Sequence, residues 1–133
     1  MQTARFDLSR LTAIYIGGVI GALARVGLAH AFPPEPGAWP WATFAVNMAG
    51  TLMLGCFIAR LREGPEDELA HPFLATGLCG TLTTFSTFQL ELFEMIDDGY
   101  LALATAYAGA SVLLGYLLVR LGLSLARHPA EIR

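Results

Sequence analysis

The sequence predicts an all-α integral membrane protein whose chain crosses the bilayer four times. Three observations carry this. Hydrophobic residues make up 55% of the chain and charged residues only 14%, against about a quarter charged in soluble domains. The apolar residues gather into four stretches of 20 to 26 residues, and about 20 are needed to cross the hydrocarbon core as a helix. The charges and prolines, finally, concentrate between those stretches and at the two ends. At 133 residues the chain is one domain by length, a single membrane unit spanning residues 1–133.

The elements follow in order. A short polar lead carries Arg5, Asp7 and Arg10. The apolar run behind it is too long, and lacks the small-residue cleavage site, for a signal peptide. The first helix is expected over about 11–32. Pro33-Pro34-Glu35-Pro36-Gly37-Ala38-Trp39-Pro40 ends it, because proline removes a backbone donor and restricts its predecessor. Trp39 and Trp41 mark the membrane interface there. The second helix runs over about 41–60, and the acidic segment from Arg62 to Glu68 is read as a solvated loop. The third runs over about 71–96, the turn Asp97-Asp98-Gly99 follows, and the fourth occupies about 100–125. Cys56 and Cys79 fall inside apolar segments and read as packing residues. Gly17-xxx-Gly21, Gly18-xxx-Ala22 and Ala106-xxx-Ala110 give close-packing faces. Four helices of this length fill their own centre, so a pathway through them calls for an oligomer, and these faces suit a tightly packed dimer.

The third segment is unlike an ordinary membrane helix. Between Gly77 and Glu91 lie five hydroxyl residues (Thr81, Thr83, Thr84, Ser86, Thr87) together with Gly80, Phe85 and Phe88. Irregular backbone at membrane depth survives only inside protein or along a polar cavity, so the helix is expected to break at Gly80–Thr84 and to mark a binding site or pathway. Other polar residues sit at comparable depth. Arg25 lies about two turns before the Pro33 break, where a charge costs about 2.5–3.5 kcal/mol unless it snorkels or meets water. It is either a snorkelling side chain or an electropositive vestibule that draws anions. Asn47, with Thr43 one turn earlier, either bridges helices or donates to a passing anion. Tyr107 and Ser111, four apart, share one face of the fourth helix.

These groups are mostly hydrogen-bond donors, with Glu91 and Glu94 the acids nearby. A cation pathway would more naturally use carboxylate rings or carbonyls; donors suit an anion. Phe85 and Phe88, three apart, either pack in the core or present their electropositive ring edges to a small anion. No nucleophile with a partnered base, phosphate loop or metal-ligand cluster is visible, so an enzyme is not expected. The slightly acidic balance, net −3, argues against nucleic acid. A small dual-topology exporter of other solutes and a non-conducting membrane scaffold are the competing classes. The first would want a carboxylate in its first helix, and the second would not need the hydroxyl-rich break.

Gly80-Thr81-Leu82-Thr83-Thr84-Phe85-Ser86-Thr87-Phe88 resembles the GGxTTFSTF signature of the CrcB/Fluc fluoride channels, and Gly18, Gly21, Ala22, Arg25, Asn47, Gly50 and Glu91 agree with that pattern. The resemblance implies a multi-pass channel of the bacterial plasma (inner) membrane, an antiparallel dual-topology dimer with two pathways that exports cytoplasmic fluoride. It implies Phe85 and Phe88 as ring-edge ligands, and Asn47, Tyr107, Ser111, Thr84, Thr87, Thr43 and Glu91 along the pathway. Arg25 would form the anion vestibule. A structural sodium ion would be held by the backbone carbonyls of Gly80 and Thr83 from both subunits. Thr81 stands where the family usually has a second glycine, and Gly115 where some members carry another hydroxyl.

One feature pulls against a homodimer. An even number of spans puts Arg5, Arg10, Arg60, Arg62, Arg127 and Arg133 on one side, while the two opposite loops carry no Arg or Lys. The positive-inside rule then favours one orientation, with the termini in the cytoplasm. The partner is therefore either a second copy or an oppositely oriented relative.

Overall fold

A computed structural model describes residues 7–63 and 68–126, without the side chains of 61–63. The acidic loop over 64–67, Arg5, Arg127, Arg133 and the side chain of Arg62 lie outside the described residues.

Among the described residues all regular structure is helical. Helix α1 (Leu8–Ala31) starts a little earlier than the hydropathy suggests, because the Asp7 carboxylate caps it by accepting from the N–H groups of Ser9 and Arg10. It closes where Phe32 N–H donates to the Leu28 carbonyl, just before Pro33. The proline loop turns at Gly37, whose φ of +73° favours glycine and whose missing side chain leaves room for the Tyr100 ring. Helix α2 (Trp41–Glu63) runs a few residues beyond its apolar stretch. Trp41 is exposed, as an interface anchor should be, but Trp39 turns inward, its ring edge-on to Phe44 and Tyr107.

The third crossing is made in two pieces. Helix α3 is wound as a π-helix over Pro72–Cys79 and returns to α-helical form over Gly80–Leu82. Thr83 and Thr84 are extended, and helix α4 (Phe85–Asp97) resumes from there. The interruption thus falls inside the expected stretch but is narrower: Gly80 itself is helical, with φ −63° and ψ −28°. Gly99, at φ +84°, ends α4, and helix α5 (Leu101–Leu125) completes the chain.

Three of these helices are long and apolar enough to cross a membrane alone, with mean hydropathies of 1.7 for α1, 1.6 for α2 and 1.8 for α5. The fourth crossing is α3 and α4 together. Large apolar side chains point outward along α1 (Ile16, Val19, Leu23) and α5 (Val112, Leu113, Leu117), as lipid demands. The chain is a multi-pass membrane protein.

Two tight helix pairs organise the core, α1 with α3 and α2 with α5. Both are glycine contacts. A Cβ on Gly77 of α3 would meet the Ile14 carbonyl oxygen at 2.6 Å and Gly18 N at 3.1 Å, and one on Gly122 of α5 would meet Cys56 N at 2.8 Å. Gly17 and Gly21 are buried against α3. The small-residue face of α1 is therefore spent within the chain, while Ala106 on α5 stays exposed. Apolar helices in lipid have no hydrophobic reason to associate, so close backbone approach and its dispersion contacts do that job.

Candidate functional site

The site grows out of the two extended residues at the α3–α4 joint. An uninterrupted helix gives each carbonyl the N–H four residues on; extended backbone at Thr83–Thr84 disrupts that pairing, and side chains from other helices replace it. Asn47 of α2 is the main replacement. Its Oδ1 accepts from Thr84 N–H at 2.8 Å and its Nδ2 donates to the Thr84 carbonyl at 3.1 Å. The amide is thus a two-point brace on the joint. One Nδ2 hydrogen remains, since the group carries two. From α1, Arg25 Nε donates to the Thr81 carbonyl at 3.0 Å. The Thr81 hydroxyl, placed where the related signature has glycine, reaches the Gly18 carbonyl at 2.8 Å. The Thr84 hydroxyl caps α4 by accepting from Thr87 N–H and also bonds the Thr87 hydroxyl.

The Thr81 carbonyl exchanges its helical donor for Arg25, and the carbonyls of Gly80 and Thr83 lose theirs to other acceptors. The N–H that would serve Gly80 is that of Thr84, which goes to Asn47. The N–H that would serve Thr83 is that of Thr87, which goes to the Thr84 hydroxyl. Gly80 and Thr83 both line one open groove of about 390 Å³. Carbonyl oxygens diverted from their helical donors suit a hard cation. No group of three or more His, Cys, Asp or Glu side chains among the described residues is placed to hold a metal ion.

The same groove gathers most of the anticipated pathway. Asn47, Thr84, Phe85, Phe88 and Ser111 line it, together with Gly50, Thr51 and the buried Cys79. Its described lining holds no charged side chain. Phe85 stands 71% exposed at the mouth. Phe88, centred 6.1 Å from Phe85, is half-buried and lies 5.1 Å from the Tyr107 ring.

Three anticipated residues form a separate cluster behind the Phe88 ring. Tyr107, fully buried, donates its hydroxyl to Glu91 Oε2 at 2.8 Å, and Thr43 donates to Glu91 Oε1 at 2.5 Å. Both carboxylate oxygens of Glu91 therefore accept from hydroxyls. Tyr107 and Ser111 share a helix face but part company, one turned to Glu91 and the other to the groove. Glu91 also walls a second cavity of about 360 Å³ under the proline loop, with Glu35, Glu94, Asp97 and Asp98 around it. Arg25 is not among the groove residues; it meets the joint from the α1 side. The bracing role of Thr81 was not legible from sequence, since the Gly18 carbonyl it bonds is 63 residues away.

The profile of the family described as CrcB-like protein, Camphor Resistance (CrcB), matches residues 12–123. The chain is 47% identical over 123 residues to "Fluoride-specific ion channel FluC 1" of Mycobacterium bovis, covering 92% of this chain and 93% of that one. It is 45% identical over 119 residues to "Fluoride-specific ion channel FluC" of Hyphomonas neptunium, covering 86% and 93%. Against "Fluoride-specific ion channel FluC 2" of Nocardia farcinica it is 38% identical over 122 residues, covering 91% and 87%. A four-crossing chain with a broken third crossing, matched to this profile and to these relatives over most of its length, belongs to the CrcB family.

Proposed function

We propose that the chain forms a fluoride-selective channel, not an enzyme, that lets fluoride leave the cytoplasm of a bacterium across its plasma membrane and so lowers its toxicity. The observation that carries this is the groove at the joint, uncharged and lined by donors and phenyl rings, in a chain whose relatives are named for fluoride. Fluoride is small and strongly hydrated, so it enters only where donors replace its water. The free N–H of Asn47, the Ser111 hydroxyl and the edges of Phe85 and Phe88 are such donors. Thr84 and Thr87 hold the start of α4, whose positive end favours an anion. Thr43, Tyr107 and Glu91 fix the wall behind Phe88 and continue the polar route away from the groove.

A sodium ion at the Gly80 and Thr83 carbonyls would supply a fixed positive charge and satisfy oxygens diverted from helical donors. It is structural in this reading and does not permeate. The reading predicts fluoride efflux from liposomes reconstituted with the purified protein, above that of empty vesicles, with chloride retained. Equal passage of both anions, or none, would sink it.

The groove is open on one side, and an antiparallel second copy closes it in the arrangement proposed here, giving two pathways per dimer. The arginine bias toward one side opposes dual insertion; Arg120, near the end of α5, adds to it. Two differently tagged copies are expected to co-purify when expressed together without any relative. A chain that stays single in that experiment, and pairs only with a relative of reversed bias, would replace the homodimer by a heterodimer.

A further inference from the structure

The joint is held from α2 by Asn47 and from α1 by a second set of bonds that line no part of the groove. Arg25 Nε donates to the Thr81 carbonyl, and the Thr81 hydroxyl donates back to the Gly18 carbonyl. Gly18 and Arg25 lie about two turns apart on α1, so residue 81 is tied at two points by bonds running in opposite directions. The Thr81 carbonyl would take the Phe85 N–H in an uninterrupted helix. Phe85 now begins α4, beyond the extended residues, and the arginine N–H stands in its place. The guanidinium is half-buried between α1 and the joint, and no α1 residue reaches the groove lining.

We propose that Arg25 is a positioning residue that works through its Nε–H rather than by drawing anions with its charge. By holding the Thr81 carbonyl toward α1, it leaves the flanking Gly80 and Thr83 carbonyls to face the groove. This deepens the cation reading given above and rests on it.

Glutamine separates the two roles. Its Nε2 occupies the same place along the side chain as arginine Nε, with N–H groups but no charge, whereas methionine has similar length and no donor. Fluoride efflux from liposomes is measured for R25Q and R25M at low and high ionic strength. Thermal unfolding of each purified variant is followed in sodium and in N-methylglucamine at equal ionic strength. R25Q is expected to stay within about threefold of the parent flux at both ionic strengths and to keep the parent's sodium-dependent rise in unfolding temperature. R25M is expected to lose about tenfold in flux, the scale of one hydrogen bond to a charged group, and to need about tenfold more sodium for the same rise.

Equal losses in both variants, shrinking as salt screens the pathway, would assign Arg25 to its charge and overturn the proposal, as would parent-like behaviour of R25M. If R25M gives no folded protein, R25Q decides alone: parent-like flux supports the proposal, and a tenfold loss overturns it. A parent without any sodium effect removes the cation reading only, and the flux of R25Q then still judges Arg25.

Discussion

Gly77→Val is expected to give no folded, monodisperse protein, and Gly77→Ala to lower stability by about 3 kcal/mol, the upper end for an overpacked core. The atoms that a Cβ would strike are the Ile14 carbonyl oxygen, Gly18 N and Gly17 Cα, all at 3.2 Å or less. All belong to the backbone, so no rotamer change relieves the clash. The α1–α3 pair must separate, and with it the bonds from Gly18 and Arg25 that hold residue 81. A Cβ on Gly27, also on α1, would meet nothing within 4 Å. Gly27→Ala should therefore be neutral or gain about 0.5 kcal/mol from helix propensity alone. Gel filtration of heated, detergent-purified samples compares the three. A Gly77→Ala protein that survives to the parent temperature would show that the helices are not in backbone contact.

The largest loss confined to transport is expected from the two phenylalanines. Isoleucine keeps much of the bulk but has no electropositive ring edge; each replacement should cut fluoride flux about tenfold, equivalent to about 1.4 kcal/mol on the barrier. The two differ in what else they change. Phe85 is largely exposed in the single chain, so Phe85→Ile should unfold at the parent temperature. Phe88 packs on Tyr107, and Phe88→Ile should also lose about 1 kcal/mol of stability. Liposome flux and thermal unfolding, measured on the same preparations, separate the effects. Undiminished flux in both variants would remove ring edges from the mechanism.

The crossings were legible because length and hydropathy are local properties, and prolines and Gly99 punctuate them. The break was legible from its hydroxyls and falls within Gly80–Thr84, but its narrower extent, Thr83–Thr84, was not. Whether Gly80 continues a helix depends on how far Pro72–Cys79 winds as a π-helix, and that winding packs against Gly17 and Gly21 of a distant segment. The polar residues show the same limit. Depth along a helix marked Asn47 and Arg25 as polar residues within the membrane, and spacing put Tyr107 beside Ser111, but neither told what they bond. Asn47 is mostly occupied by the Thr84 backbone, and Tyr107 by Glu91. Spacing left Phe85 and Phe88 open between a core pair and exposed ring edges. It put Ser111 on one face with Tyr107, whereas Ser111 lines the groove with both phenylalanines and Tyr107 does not. The small-residue face of α1 read correctly as a contact surface, yet nothing in its spacing says whether the neighbour is the same chain or another.

The exchange of hydrogen bonds at Thr83–Thr84 also bears on biogenesis. A chain leaving the translocon enters lipid before it meets any partner, and each unsatisfied backbone group there costs several kcal/mol. Because Asn47, Arg25 and the threonine hydroxyls belong to the same polypeptide as the groups they serve, most of that penalty disappears as soon as the four crossings come together. The oxygens of Gly80 and Thr83, whose helical donors have gone to Asn47 and to the Thr84 hydroxyl, are in the proposed channel the groups left for assembly to satisfy. Under that proposal maturation divides into an early step that the chain completes alone and a late one, association around those oxygens, that needs a second subunit.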